Sequence, residues 1–286
     1  MDRLILGTVQ LGTEYGINNS DGKPKSNESL NILEKAFSLG IRNLDTAEVY
    51  GDSYNIIKNY HKKFPLKKFK IFDKSSNKES KSFKNKIINK LDLLNIENFE
   101  GYMFHSLDIF KKNQGIHEEI IDIKKKGLIK NLGISLYTDE QINEALSYKF
   151  KFDFIQMPFN VLDNETIRKD VIEMMIDKDI EIDVRSIFLQ GLFYMKENSL
   201  PKKLLPLKKY IDEIKTICFE NNHSIDELLM NYPKQKKYVK KIIFGVDNEN
   251  QLIKNIASFS KNISFPMKKI DKIHVDNKEL LNPSIW

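Results

Sequence analysis

Ile32-Leu33-Glu34-Lys35-Ala36-Phe37-Ser38-Leu39-Gly40-Ile41-Arg42-Asn43-Leu44-Asp45 runs from a helix, through a stop, into a strand. Ile32, Leu33, Ala36, Phe37 and Leu39 follow the i, i+3/i+4 spacing of a helix with one buried face, and Gly40 marks its end. Beyond Gly40 comes a short apolar run of strand length. Working outward, the same rhythm fills the chain. Strands are predicted at 4–8, 41–45, 70–74, 101–105, 129–135, 154–157, 181–185 and 241–245. Helices are predicted at 27–39, 53–62, 78–94, 113–126, 139–148, 163–177, 207–221 and 248–260. The strands are apolar on both faces, as parallel strands covered by helices must be. Strand then helix, eight times over, predicts an α/β chain folded as a (β/α)8 TIM barrel, for which about 250 residues is usual. A doubly wound sheet alternates in the same way, but no Gly-x-Gly-x-x-Gly follows the first strand. The segment 187–238 exceeds one βα unit and is punctuated by Pro201 and Pro206. It reads as a long loop after strand seven, then two helices. With no internal repeat beyond the βα rhythm and no low-complexity linker, 1–286 reads as one domain.

Composition narrows the function classes. The 286 residues are 41% hydrophobic and 30% charged, which is ample for a large core and unlike a disordered chain. A single cysteine, Cys218, rules out an internal disulfide and fits a reducing compartment. The amino-terminal apolar run is too short for a signal peptide, and no stretch approaches the roughly 18 apolar residues of a membrane span. A cytoplasmic protein without a membrane partner is expected. The net charge of +6 rests on lysine, since only Arg3, Arg42, Arg168 and Arg185 are arginine. Arginine is the preferred residue for bidentate phosphate and base-edge recognition, so this basic balance does not point to nucleic acid. The oligomeric state is not legible.

In a barrel, polar residues at the carboxyl ends of the strands gather around one mouth. Asp45 closes strand two, with Tyr50 shortly after it; Lys74 closes strand three and His105 strand four. Asp45, Lys74 and His105 lie 29 and 31 residues apart, each about one βα unit. Taken singly, each has an ordinary reading: a turn cap for Asp45, an amphipathic core cap for Tyr50, a solvated charge for Lys74, a structural ring for His105. At successive strand ends of one mouth they form a constellation. No His, Cys, Asp or Glu spacing suggests a metal, and no Gly-x-x-x-x-Gly-Lys is present.

The chain resembles the aldo-keto reductases from Leu6-Gly7-Thr8 to Asn255. The most specific marker is Gly40-Ile41-Arg42-Asn43-Leu44-Asp45-Thr46-Ala47-Glu48-Val49-Tyr50-Gly51. Further matches are Asn131-Leu132-Gly133-Ile134-Ser135, Phe154-Ile155-Gln156-Met157-Pro158-Phe159-Asn160, Ser186-Ile187-Phe188-Leu189-Gln190-Gly191-Leu192, and Gly245-Val246-Asp247 through Gln251 to Asn255. The resemblance implies a barrel that binds NADP or NAD and reduces an aldehyde or ketone, a sugar-derived carbonyl being one candidate. It implies Tyr50 as proton donor, tuned by Asp45, Lys74 and His105. That assignment is chemically sound: hydride arriving at a carbonyl carbon leaves an alkoxide that needs a proton and a polarising donor. A phenol titrates near 10, so Lys74 is expected to favour the phenolate, Asp45 to hold that ammonium, and His105 to hydrogen-bond the carbonyl oxygen. For the cofactor it implies Gly7, Thr8, Asp45, Ser135, Gln156, Arg185, Ser186, Phe188, Gln190, Gly191, Gly245, Asp247, Gln251 and Asn255. Three positions depart from the family pattern. Leu136 follows Ser135 where many members have Asn. Arg185 stands where many have an aromatic that stacks on the nicotinamide, though a planar guanidinium also stacks. The segment 245–251 is acidic, with Lys254 the only basic residue nearby, where many members carry Lys or Arg for a 2′-phosphate. Two other readings use the same residues: a Schiff-base aldolase or lyase with Lys74 as nucleophile, and a weakly catalytic, cofactor-sensing relative that binds partner proteins.

Overall fold

The computed structural model describes residues 1–76 and 83–286. Eight parallel strands close a barrel in sequence order, β1 (Leu4–Gly7), β2 (Asn43–Ala47), β3 (Lys70–Ser75), β4 (Phe99–Phe104), β5 (Ile129–Ser135), β6 (Phe154–Pro158), β7 (Glu181–Arg185) and β8 (Val239–Phe244). The helices are α1 (Val9–Gly12), α2 (Ser26–Ser38), α3 (Ser53–Lys63), α4 (Phe83–Leu94), α5 (Leu107–Lys112), α6 (His117–Lys125), α7 (Asp139–Ser147), α8 (Glu165–Asp177), α9 (Lys208–Glu220), α10 (Ile225–Gln235), α11 (Glu249–Ser260) and α12 (Met267–Asp271). Ile32, Leu33 and Ala36 bury one face of α2, as the periodicity predicts. Side-chain caps start several others: Ser106 on Ile109, Thr138 on Gln141, Asn164 on Ile167, Ser224 on Glu227 and Asn248 on Gln251.

The differences from the sequence reading lie at boundaries and in short elements it did not predict. Gly40, at φ +91°, closes α2 with Ile41 donating back to the Ala36 carbonyl. That closure consumes Ile41, so β2 begins at Asn43 and runs on to Ala47. The span 113–126 holds a short turn at Gln114–Ile116 and then α6, with α5 before it. The start expected for the helix at 78–94 lies outside the described residues, and α4 is described from Phe83. The short α1 and α12 carry too little periodicity to be read from sequence. Between β7 and α9 the chain makes three short helical turns, Leu189–Tyr194, Glu197–Ser199 and Lys202–Leu207, and α9 and α10 are the two helices expected before β8.

The barrel interior has an apolar floor of Ile5, Phe72, Met103, Phe154 and Ile243, separate from the larger core between barrel and helices. Phe72 and Phe154 meet edge to face at 6.0 Å. Two glycines make room for them. A Cβ on Gly101 would lie 2.3 Å from the Phe72 ring, and one on Gly133 would lie 2.5 Å from the Phe154 ring. Strand side chains alternate with period two, so the residue two positions beyond each floor residue faces the same interior, one step nearer the mouth. These are Gly7, Lys74, His105, Gln156 and Gly245. The apolar floor thus sets the height of the polar layer.

Candidate active site

Lys74 is central to that layer. Its side chain is 1% exposed and its ammonium donates to Asp45 Oδ1 and, at 3.3 Å, to the Tyr50 hydroxyl. The second Asp45 oxygen accepts from Gln156 Nε2 at 2.8 Å. The register that pairs Gly7 with Asp45 and Ala47 with Lys74 brings β2 and β3 to the required height. Tyr50 follows β2 on a tight turn in which Gly51 has φ +48°. A Cβ on Gly12 would lie 1.8 Å from the Tyr50 carbonyl, so only glycine lets α1 pass that turn. His105 stands edge to face with the Tyr50 ring at 5.9 Å. Tyr50, Asp45, Lys74 and His105 all line one cavity of about 350 Å³.

The electrostatics differ from the sequence expectation at one point. Burial, and then the Asp45 carboxylate, hold the Tyr50 phenol well above its ordinary value, with Arg185 opposing them. The Lys74 ammonium does lie within reach of the Tyr50 hydroxyl, but burial outweighs it. Burial also pushes the Lys74 ammonium down, against the pull of Asp45. Burial, then the Lys74 and Arg185 cations, push His105 down to about 3, so its imidazole is neutral. The group therefore offers a protonated phenol, a neutral imidazole and a buried ion pair behind them.

The cavity continues from this cluster past Ser135 and Arg185 to the 186–191 loop and the start of α11. Gly7, Ser186, Phe188, Gln190, Gly191, Gly245, Asp247, Gln251 and Asn255 line it as well, whereas two expected residues do not. Thr8 is buried and donates its hydroxyl to the Asp45 carbonyl, and Gln156 donates its Nε2 to Asp45 while its Oε1 is buried with no partner among the described residues. Ser186, Leu189 and Gln190 adopt left-handed φ of +58°, +44° and +54°, with Gly191 at +85°. For a bulky residue such as Leu189 that is an unusual conformation, of the kind found where surrounding structure overrides local preference. The carboxyl-terminal segment holds this loop, since Gln190 Nε2 donates to the Pro283 carbonyl at 3.1 Å. Lys203 donates to the Ile285 carbonyl, and the Trp286 indole to that of Leu280.

Gln10, Tyr15, Tyr137, Tyr194 and Asp226 line the cavity although the sequence did not mark them. The Arg185 guanidinium lies 3.8 Å from the centroid of the Tyr137 ring. Its nitrogens donate to the Leu136 carbonyl and the Ser186 hydroxyl. Lys254 is paired with Asp226, from the first turn of α10, at 2.7 Å. Asp226 also accepts from the Tyr194 hydroxyl. Gln10 and Tyr15 enter from the β1 side. Neither α10 nor the β1 loop has a periodicity that marks which side chain faces inward. Among the described residues no three His, Cys, Asp or Glu side chains form a potential metal site, and no helix is long and apolar enough to cross a membrane.

The aldo/keto reductase family pattern matches residues 3–274. The chain belongs to the aldo-keto reductase family. Among solved structures, one from Bacillus halodurans, an aldo-keto reductase in its holo form, is similar at TM-score 0.73 and 17% identity, covering 97% of this chain and 95% of that one. A Pseudomonas aeruginosa structure that carries the aldo-keto reductase name is similar at TM-score 0.63 and 22% identity, covering 90% and 89%. At these identities the likeness speaks to fold. No curated protein sequence matches the chain. Membership of the aldo-keto reductases makes the protein an oxidoreductase of carbonyl compounds. Members of the family generally use NAD(P)H, and the residues present fit such a group. Gly7, Gly191 and Gly245 present bare backbone to the cavity, and a Cβ on Gly245 would lie 2.2 Å from the Gln10 amide. Gln10 Oε1 is buried beside it with no partner among the described residues. Asn248 caps the start of α11, where backbone N–H groups favour an anion.

Proposed function

We propose that this aldo-keto reductase is a nicotinamide-dinucleotide-dependent carbonyl reductase that converts an aldehyde or ketone to an alcohol with Tyr50 as proton donor. The observation that carries the reading is the Lys74 ammonium set between Asp45 and the Tyr50 hydroxyl, with His105 beside the same ring. When bound, the dinucleotide supplies a hydride to the carbonyl carbon. The alkoxide so formed is a far stronger base than a phenolate, so it takes the Tyr50 proton even though burial holds that proton tightly. Lys74 then faces the phenolate and stabilises it, while Asp45 and Gln156 keep the ammonium in place. Neutral His105 donates a hydrogen bond to the carbonyl oxygen and orients it. Ser135 would hold the carboxamide, the Arg185–Tyr137 pair the ring, and the 186–191 and 245–255 segments the pyrophosphate and adenosine. We read the whole chain as one domain acting in the cytoplasm on a small carbonyl substrate.

At the adenosine end the charge is acidic. Lys254 is neutralised by Asp226, and Asp247 lies in the same wall. This supports weak selectivity or a preference for NADH. The deciding experiment is a panel of aldehydes and ketones assayed by loss of reduced-cofactor absorbance, with Tyr50→Phe in parallel. Wild-type turnover in Tyr50→Phe would overturn the assignment. Borohydride trapping of a carbonyl on Lys74, without hydride exchange, would establish the aldolase reading instead. The Asp45 pair argues against that route, because it holds the amine that a Schiff base needs free.

A further inference from the structure

Behind His105 lies a group of residues that the proposed reaction does not use. Ser76, the first residue after β3, places its hydroxyl oxygen 2.8 Å from His105 Nδ1. The Ser76 backbone N–H donates to Glu48 Oε2 at 3.1 Å. Glu48 Oε1 in turn accepts from Lys90 and from Lys86, each at 2.6 Å. Lys90 comes from α4 and also binds Asp73 at 2.8 Å, inside the wall between barrel and helix. The Glu48 N–H donates to the Lys74 carbonyl. The turn carrying Ser76 is therefore clamped to the strand that carries Lys74 and to a buried ion cluster.

A neutral imidazole has one N–H and one acceptor nitrogen, and the partner of one nitrogen decides the state of the other. The Ser76 hydroxyl has no other hydrogen-bond partner among the described residues. If Nδ1 carried the hydrogen, the hydroxyl would only accept, and its own hydrogen would lack an acceptor among the described residues. If the hydroxyl donates to Nδ1, both groups are satisfied and Nε2 carries the hydrogen. We propose that Ser76, anchored by Glu48, is a positioning residue that fixes His105 as its Nε2–H tautomer, leaving that N–H as the donor a bound carbonyl oxygen needs. The inference rests on the carbonyl-reductase reading for its purpose, but not for its test.

Imidazole nitrogens report their protonation directly in long-range 1H–15N correlation spectra of the full chain. Only five histidines are present, and His105→Gln identifies the signal in question. At neutral pH the wild type should show His105 as a single Nε2–H tautomer. Ser76→Ala should give a mixture, and Ser76→Thr, which keeps the hydroxyl, should restore the wild-type pattern. In turnover, Ser76→Ala should lose about tenfold in kcat with the cofactor KM unchanged, about 1.4 kcal/mol, and Ser76→Thr should recover it. An Nδ1–H tautomer in the wild type, or an unchanged spectrum in Ser76→Ala, would overturn the proposal. Those spectra need no substrate, so they stand or fall apart from the Tyr50 test. Should Ser76→Ala fail to fold, Ser76→Cys, a poor donor of the same size, should show the same mixture.

Discussion

Asp45 and Asp183 are both buried carboxylates on inward faces of barrel strands, and the fold treats them in opposite ways. Asp45 spends one oxygen on the Lys74 ammonium and the other on the Gln156 amide. Asp183 sits opposite Gln156 in the β6–β7 register, yet its Oδ1 has no partner among the described residues. Burial, then Glu181, push the Asp183 carboxyl up to about 8. A charge in this barrel is kept where a cation has been brought to meet it, and otherwise the group keeps its proton. The Asp45 side is thus organised for chemistry, and the Asp183 side is tolerated.

The harshest break of this contrast is Lys74→Met, which turns Asp45 into a second unpaired carboxylate. It should cost about 3–5 kcal/mol in denaturant unfolding, the penalty for stranding one half of a buried pair, and abolish measurable turnover at any cofactor concentration. Tyr50→Phe sharpens the contrast by leaving the Asp45 pair whole. It should lose at least about 10²-fold in kcat, the low end for a general acid, with stability and cofactor affinity nearly unchanged by calorimetry.

Asp183→Asn should go the other way and stabilise the protein by up to about 5 kcal/mol near pH 8, where the cost of holding the native proton has accumulated since about pH 4. The sign comes from linkage. The folded state holds the Asp183 proton up to about pH 8, while the unfolded carboxyl releases it near pH 4. Wild-type stability therefore falls as pH rises through that window, by at most about 1.4 kcal/mol per unit from this group. His105 works in the reverse sense. The unfolded ring takes a proton below about 6.5 that the folded ring refuses until about 3, so its contribution is lost as pH falls. The two oppose one another below pH 6.5, which makes pH 6.5–8 the diagnostic interval. Unfolding midpoints measured across it should decline in the wild type and flatten in Asp183→Asn. The smallest effect concerns a third carboxylate, Asp226, which is paired with Lys254 at the far end of the cavity. NADPH and NADH affinities should differ by less than about tenfold, or favour NADH, and a hundredfold NADPH preference by calorimetry would refute this.

How much of this was legible depends on what each feature rests on. The barrel was readable because helix periodicity, Gly40 and the short apolar strands repeat one pattern eight times. Tyr50, Asp45, Lys74 and His105 were readable because one-βα-unit spacing places strand ends side by side. The contrast between Asp45 and Asp183 was not, since it turns on which way the Gln156 amide points. Ser76 beside His105 depends on how two loops meet, and Asp226 on the docking of α10 over the mouth. None of these leaves a periodic trace. The effect of burial on Tyr50 has a related cause: a sequence identifies a neighbouring charge but not how deeply the fold will bury the phenol beside it.

The carboxyl-terminal segment has an optical consequence. Trp286 is the single tryptophan of the chain, and its indole is tied to a segment that also grips Gln190 in the cavity wall. Its emission reports on one place only, the carboxyl-terminal segment that holds the loop through Pro283. Any ligand that reshapes the 186–191 turn should therefore register as a change in intrinsic fluorescence. The protein carries its own binding gauge, with no label required.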